Sequence, residues 1–145
     1  MSAPASMNLA TARTIIATAL RFGEDKGFKP LTVVVLDAGG NVVAAERSDG
    51  APNKRFEIAH GKAFGAISIG MGSRALMARA EQQPYFIAAA GAAIGGALVP
   101  VPGGVLIQSG GATIGAVGIS GDTSDNDEAA AVAGIGAAGL SAETG

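Results

Sequence analysis

The feature of this sequence that most constrains its fold is the stretch LTVVVLDAGGNVVAAERSDGA, residues 31–51. Two runs rich in β-branched residues flank a short segment that contains Gly39, Gly40 and Asn41. β-Branched side chains favour strands, and glycine and asparagine accept the positive φ angles of tight hairpin turns. The stretch therefore predicts a β-hairpin. Its first arm is an uninterrupted apolar run, which is typical of a central strand covered on both faces.

The segments around the hairpin predict helices that flank a sheet. Apolar residues recur there at three- and four-residue steps, and capping or breaking residues bound each segment. The predicted helices cover residues 9–24, 53–69, 73–83 and 84–93, and a last helix follows Ser124. Asn8 is a plausible N-cap of the first of them.

Further strands are predicted in the second half of the chain. Residues 98–101 are expected to form a short edge strand, limited by Pro100 and Pro102. Residues 105–120 predict a second hairpin that turns at a Ser-Gly-Gly segment. Ser124 with Asp127 resembles a capping box at the start of the last helix. The order of elements predicts an α+β fold with antiparallel strand pairs and no dinucleotide-binding βαβ unit.

The composition excludes several classes of function. The net charge is −2, so the chain lacks the excess of basic residues that typically binds nucleic acid. Cysteine is absent, which excludes a disulfide framework, a thiol nucleophile and a thiolate metal site. The apolar stretch at residues 86–99 is shorter than the roughly 20 residues that cross a bilayer. We expect no membrane partner and a cytoplasmic location. The chain has 23 glycines and only 4% aromatic residues, so its side chains bury little apolar surface within one chain. We therefore expect a homo-oligomer.

His60 is the single histidine of the chain and the first candidate for chemistry. Helical spacing places Glu57 three residues before it and Phe64 four residues after it. One imidazole beside one carboxylate can ligate a metal ion or haem iron, or can take part in acid–base chemistry. The alternative is a histidine on a helix face that only Glu57 or solvent contacts.

Lys62 lies on the same predicted helix among small and apolar residues. A lysine among small and apolar residues can bind an anionic group such as a propionate, or can extend along the helix edge to reach solvent. The acidic segment DTSDNDE, which begins at Asp122, lacks the spacing and the glycine of a calcium-binding EF-hand loop. We interpret those acidic residues as capping residues of the last predicted helix.

Several segments together resemble the GlcG/HbpS-type haem-binding proteins, which include the C-terminal domain of PduO. The matching segments are VVVLDAGGNVVAAERSDGA (33–51), AHGKAF (59–64), Pro102-Gly103-Gly104, and IGAVGISGDTSDNDEAAAVAG (114–134). They occur in the order of the family and cover nearly all of the chain from Leu31. Each is a weak signal by itself, whereas the ordered combination is fairly specific.

The resemblance implies a profilin-like fold, in which helices flank a five-stranded antiparallel sheet on its faces. One domain would span residues 1–145, with residues 1–7 as a flexible tail. The resemblance also implies dimer-based assembly, as a tetramer or octamer, and binding of haem or of free iron. Ser73 stands where family members have a threonine near haem, and Gly72 replaces a family proline. The expected haem-binding residues are Glu57, His60, Lys62, Ser73, Arg74, Gly103 and Gly104, with His60 and Glu57 as metal ligands.

Three functions are compatible with this sequence. The first is an oligomeric haem- or iron-binding accessory protein, with Arg74 or Lys62 facing the haem carboxylates. The second is a small-molecule binding protein or enzyme on the same scaffold. Its ligand would be an organic acid recognised by Arg47, Lys62 or Arg74, in a pocket between the second helix and residues 103–122. The third is a structural oligomer without a ligand.

Overall fold

The computed structural model describes residues 4–145, which contain five helices and one five-stranded antiparallel sheet. The helices are α1 (Leu9–Lys26), α2 (Arg55–Ile69), α3 (Ser73–Gln82), α4 (Pro84–Ala93) and α5 (Ser124–Ala137). The strands are β1 (Thr32–Asp37), β2 (Val42–Arg47), β3 (Gly104–Ser109), β4 (Ala112–Ser120) and β5 (Ser141–Glu143). The predicted α+β class, the antiparallel sheet and the opening hairpin are confirmed. Among the described residues, no helix is long and apolar enough to cross a membrane.

The five strands lie in the order β2-β1-β4-β3-β5, so the first arm of the hairpin is internal. Its middle residue Val34 pairs with Ala45 on β2 and with Gly118 on β4. The five β1 residues from Thr32 to Leu36 are fully or almost fully buried. Both faces of this strand are therefore covered, as its uninterrupted apolar sequence predicts.

Successive β1 side chains enter two different cores, because side chains alternate across a strand. Val33 and Val35 pack in the larger core with buried residues of α1 and α5. Val34 and Leu36 pack in the smaller core with three alanines of α2. The sheet thus separates a layer made by α1 and α5 from a layer made by α2, and β2 is an edge strand of this sheet.

The predicted edge strand at residues 98–101 is wrong, and β5 takes the outer position beside β3 instead. Two prolines in this segment, Pro100 and Pro102, have no backbone N–H to donate to a strand ladder. The segment instead lies across α2, where the N–H of Val99 donates to the carbonyl oxygen of Gly61. β5 is only three residues long and exposed, so it carries no apolar alternation from which to predict it.

The start of α1 forms as predicted, α1 continues to Lys26, two residues beyond its predicted end, and the start of α5 differs from the prediction. Asn8 accepts a hydrogen bond from the backbone N–H of Thr11, and Gly27 closes α1 with a φ of 73°. At α5 the N-cap is Thr123, whose side chain accepts from the N–H of Asn126. The expected capping box of Ser124 and Asp127 is therefore wrong, because Asp127 has a different, buried partner.

The expected tail at residues 1–7 falls partly outside the part of the chain that the structure describes. Residues 1–3 lie outside it. Met7 is buried and belongs to the larger core with residues of α1, α5 and the sheet. Met7, at least, is therefore not part of a flexible tail.

Candidate functional site

Helix α2 carries small residues on two of its faces, and these allow neighbouring segments to pack closely against it. Cβ atoms added at Gly61 and Gly65 would lie 2.7 Å from the Cγ2 of Val99 and 3.1 Å from the Cγ of Leu98. These glycines therefore let residues 98–99 lie directly on the helix. The face towards the sheet carries the buried alanines Ala59, Ala63 and Ala66.

The third face of α2 carries a stack of two phenylalanine rings with the imidazole between them. The ring centroids of Phe56 and His60 are 6.0 Å apart with an interplanar angle of 16°. Those of His60 and Phe64 are 5.3 Å apart at 23°. Both separations lie in the range at which aromatic rings attract each other. His60 is half-buried, and no hydrogen bond to its side chain forms within residues 4–145.

Beside this stack lies an open surface of the edge strand, which we call the α2–β2 groove and define by Phe56, His60, Phe64, Val42 and Ala45. Val42 and Ala45 pair with Leu36 and Val34, whose side chains lie in the α2 core. Paired residues point to the same side of a sheet, so Val42 and Ala45 face this groove. Val42 is 49% exposed, which leaves an apolar surface open to solvent.

The two ends of the groove are fixed by contacts with the hairpin. At one end, Phe64 lies so close to the turn that a Cβ added at Gly40 would be 3.0 Å from its Cε2. Gly40 also has a φ of 81°, which a side chain would disfavour. At the other end, Phe56 and Ala45 line a cavity next to the end of β2. The stack therefore runs alongside the hairpin.

Glu57 lies one turn before His60 and makes a different contact. Its carboxylate accepts a hydrogen bond from Lys54 at 3.3 Å, and both side chains are exposed. Its own backbone N–H lowers the pKa of Glu57, and the Lys54 ammonium lowers it further. In the described part of the chain, no group of three histidine or acidic side chains could hold a metal ion. A bare metal at Glu57 and His60 would have two ligands from this chain.

Lys62 lies in the interior and is 2% exposed. Its Nζ donates to the carbonyl oxygen of Ile119 at 2.9 Å and to the Oδ2 of Asp127 at 3.1 Å. Burial lowers the pKa of Lys62, and burial raises the pKa of Asp127, while their mutual attraction opposes both shifts. The other oxygen of Asp127 accepts the N–H of Asp122. In this arrangement Lys62 joins α2 to β4 and α5.

Ser73, Gly103 and Gly104 surround this buried lysine. The Oγ of Ser73 accepts the N–H of Gly104 at 2.7 Å, and the Ser73 side chain is fully buried. A Cβ added at Gly103 would lie 2.8 Å from the Nζ of Lys62, and one at Gly104 would clash with the Lys62 carbonyl group. The space between α2 and residues 103–122, expected to hold a pocket, is therefore closely packed.

Arg74 is partly exposed at the start of α3 and already has anionic partners. Its Nε lies 3.0 Å from the Oε2 of Glu128, and its Nη2 binds Asp125. These carboxylates raise the pKa of Arg74. Arg74 thus connects the first turns of α3 and α5.

The seven predicted site residues therefore separate into three groups. Glu57 and His60 lie on the surface of α2. Arg74 lies in a partly exposed charge cluster. The third group is buried and consists of Lys62, Ser73, Gly103 and Gly104. Asp127 also belongs to this buried cluster, although the sequence interpretation assigned it to helix capping.

Solved structures with the same fold include one haem complex. The PduOC–haem complex has a TM-score of 0.83 at 23% identity, over 93% of this chain and 96% of that chain. Protein ORFY of Klebsiella pneumoniae has a TM-score of 0.84 at 24% identity, over 95% and 94%. HbpS has a TM-score of 0.79 at 27% identity, over 94% and 92%. No curated protein sequence matches the chain. The sequence pattern of the HbpS-like haem-degrading proteins matches residues 7–136, and the chain belongs to this family.

Proposed function

We propose that this protein binds haem in the α2–β2 groove and that His60 is the axial ligand of the iron. The observation that carries the proposal is the position of His60, half-buried between two phenyl rings and without a hydrogen-bond partner in the described residues. Histidine is a common axial ligand of haem iron. The family, and the haem bound to the related PduOC, support the same ligand class.

The donor set favours haem over a bare iron ion. Non-haem iron sites in proteins typically use three side-chain ligands, two histidines and a carboxylate. Within residues 4–145 no such cluster forms, and Glu57 is exposed and paired with Lys54. Haem brings four nitrogen ligands of its own, so one imidazole from this chain is sufficient.

The shape and polarity of the groove also fit a flat, largely apolar group. The phenyl rings cover the faces of the imidazole, whereas a bond from its nitrogen to iron would lie in the ring plane. From Phe56 to Phe64 the helix rises about 12 Å, and Val42 and Ala45 of the edge strand add apolar surface opposite. When bound, haem would supply the redox-active iron, while the chain binds and orients it.

The buried predicted residues have a supporting role in this proposal. Lys62 and Ser73 hold α2 and α3 against β3, β4 and α5 through hydrogen bonds to Ile119, Asp127 and Gly104. These contacts fix the helix that carries His60. We expect substitutions of Lys62 or Ser73 to affect haem binding only through the position or stability of α2.

We also propose that the chain works as a homo-oligomer of dimers, a tetramer or octamer, in the cytoplasm. Several large apolar side chains are exposed, among them Tyr85 at 72% and Val132 at 39%, and such side chains suit burial by a second copy. The absence of cysteine is compatible with a reducing compartment. Light scattering during gel filtration measures the assembly, and a monomer at micromolar concentration would contradict it.

The haem proposal is tested by titrating the purified protein with haemin and following the Soret band. The wild-type protein should give a saturable shift with one haem per chain. His60→Ala should lose the shift or bind at least tenfold more weakly, because it removes the axial ligand. Lys54→Gln is the control, since it alters an exposed side chain at the start of α2 outside the groove, and it should bind haemin like the wild type. No saturable shift, or equal affinity in His60→Ala, would refute the proposal.

A further inference from the structure

The cavity at the Phe56 end of the groove lies between the last residues of β2 and the start of α2. Its volume is about 380 Å³, which falls within the range of small-molecule sites. The residues that line it combine one aromatic ring with several polar side chains. They are Thr32, Ala45, Glu46, Arg47, Asn53 and Phe56.

The wall of this cavity contains a buried hydroxyl without a partner. Thr32 is 1% exposed, and its Oγ1 makes no hydrogen bond within the described residues. Leaving a buried hydroxyl unpaired is unfavourable, so native proteins rarely do so without a ligand or a functional reason. The adjacent strand residue Ser120 does not supply the missing bond: its Oγ accepts from Arg55 at 3.0 Å and makes no hydrogen bond to Thr32.

Arg47 and Asn53 add donors that suit a carboxylate. Arg47 pairs with Thr32 across the strands, so both side chains belong to the same side of the sheet. One Nη1–H of Arg47 donates to the carbonyl oxygen of Ala51 at 2.8 Å. No carboxylate in residues 4–145 forms an ion pair with this guanidinium, whose planar fork matches a carboxylate.

The one acidic residue of the lining points away from this side. Glu46 pairs with Val33, whose side chain lies in the core on the α1 side of the sheet. Strand alternation therefore directs the Glu46 carboxylate to the opposite face. Phe56, at 36% exposure, and Ala45 provide the apolar part of the lining.

We infer that this cavity is a binding site for a small monocarboxylate with a compact apolar group. The carboxylate would bind Arg47 and Asn53, the hydroxyl of Thr32 would gain its missing partner, and the apolar group would contact Phe56. This site shares Phe56 and Ala45 with the α2–β2 groove, but it does not rest on the haem proposal, because it requires neither His60 nor iron. Its position also differs from the pocket near residues 103–122 that the sequence suggested.

The test uses benzoate as the probe, with benzamide as its uncharged analogue. In amide NMR titrations of the full chain, benzoate should shift the signals of Thr32, Asn53 and Phe56 saturably, and benzamide should bind more weakly. Arg47→Gln should weaken benzoate binding about tenfold or more, because it removes a charge-assisted hydrogen bond. Thr32→Val, which keeps the shape of the side chain, should weaken it severalfold.

Matched controls separate this site from unspecific effects. Arg13→Gln and Thr113→Val alter an exposed arginine of α1 and an exposed threonine of β4, and both should bind benzoate like the wild type. His60→Ala should retain benzoate binding even where haemin binding is lost, and Arg47→Gln should retain haemin binding. No saturable shift, or equal weakening in Arg13→Gln, would overturn the inference.

Discussion

The Nζ of Lys62 lies 3.1 Å from the Oδ2 of Asp127, and both side chains are almost completely buried. This pair joins the middle of α2 to the first turn of α5, 65 residues further along the chain. The same Nζ also donates to the carbonyl oxygen of Ile119 on β4. The helix that carries His60 is therefore fixed to the sheet and to α5 of the opposite layer by one buried lysine.

Removing one member of this pair should be severely destabilising. Lys62→Met should lower the free energy of unfolding by about 3–5 kcal/mol, because Asp127 is then left buried without its partner. The double variant Lys62→Met/Asp127→Leu should recover most of that loss. Urea unfolding followed by circular dichroism measures both. Lys54→Met, which breaks an exposed ion pair, should change the value by less than about 1 kcal/mol. A tolerated Lys62→Met would contradict this account.

The close packing at Gly104 predicts opposite effects for two glycine substitutions. Gly104→Ala should destabilise the fold by about 1–3 kcal/mol or prevent folding, because the new Cβ would clash with the Lys62 carbonyl. Gly136→Ala, at an exposed position of α5 with open space around it, should stabilise by about 0.5–1 kcal/mol. Thermal unfolding compares the two. Equal effects would show that Gly104 is not constrained by packing.

Thr32→Val should stabilise the ligand-free protein. It replaces a buried, unpartnered hydroxyl by a methyl group of similar shape, so the expected gain is about 1 kcal/mol. Thr113→Val, at an exposed position near the start of β4, should change stability by less than about 0.5 kcal/mol. The measurement is the urea midpoint without any added carboxylate. A destabilised Thr32→Val would mean that an ordered water already satisfies this hydroxyl.

Asp122 should contribute to acid sensitivity. Its carboxylate accepts the N–H of Lys29 and the side-chain amide of Asn126, and these bonds hold its pKa below the ordinary value of 3.8. A lowered pKa stabilises the fold above about pH 4, and that stabilisation is lost as the pH falls through the folded-state value.

Unfolding in urea at pH 7 and pH 3 measures this contribution. Asp122→Asn should be less stable than the wild type at pH 7 and should lose less stability on acidification. The exposed Asp25→Asn is the control and should behave like the wild type. An unchanged pH dependence in Asp122→Asn would exclude the proposed role of this carboxylate.

Local signals were sufficient to predict most of the fold. The hairpin, the start of α1 and the end of α4 depend on turn glycines, on Asn8 and on short-range apolar spacing, all of which a sequence displays directly. The predicted strand at residues 98–101 failed because apolar composition alone does not reveal its contact with the glycines of α2. β5 was missed because its strand character comes only from pairing with β3.

The candidate site was harder to predict because its key relationships are long-range. His60 and its two phenyl neighbours follow from helical spacing. The partner of Lys62, by contrast, lies 65 residues away, and a local interpretation of Asp127 as a capping residue had no means to find it. The unpartnered hydroxyl of Thr32 depends on the packing of neighbouring strands, which spacing does not encode.

The most direct test of the central claim is to determine which amide NMR signals of the protein are broadened by ferric haem. Paramagnetic iron broadens nearby amides most strongly. Haem bound through His60 should therefore suppress signals of α2 around Phe56–Phe64 and of β2 near Val42, while signals of α1 on the other side of the sheet persist. Strong broadening centred on α1 or α5, with α2 unaffected, would contradict haem binding in the α2–β2 groove.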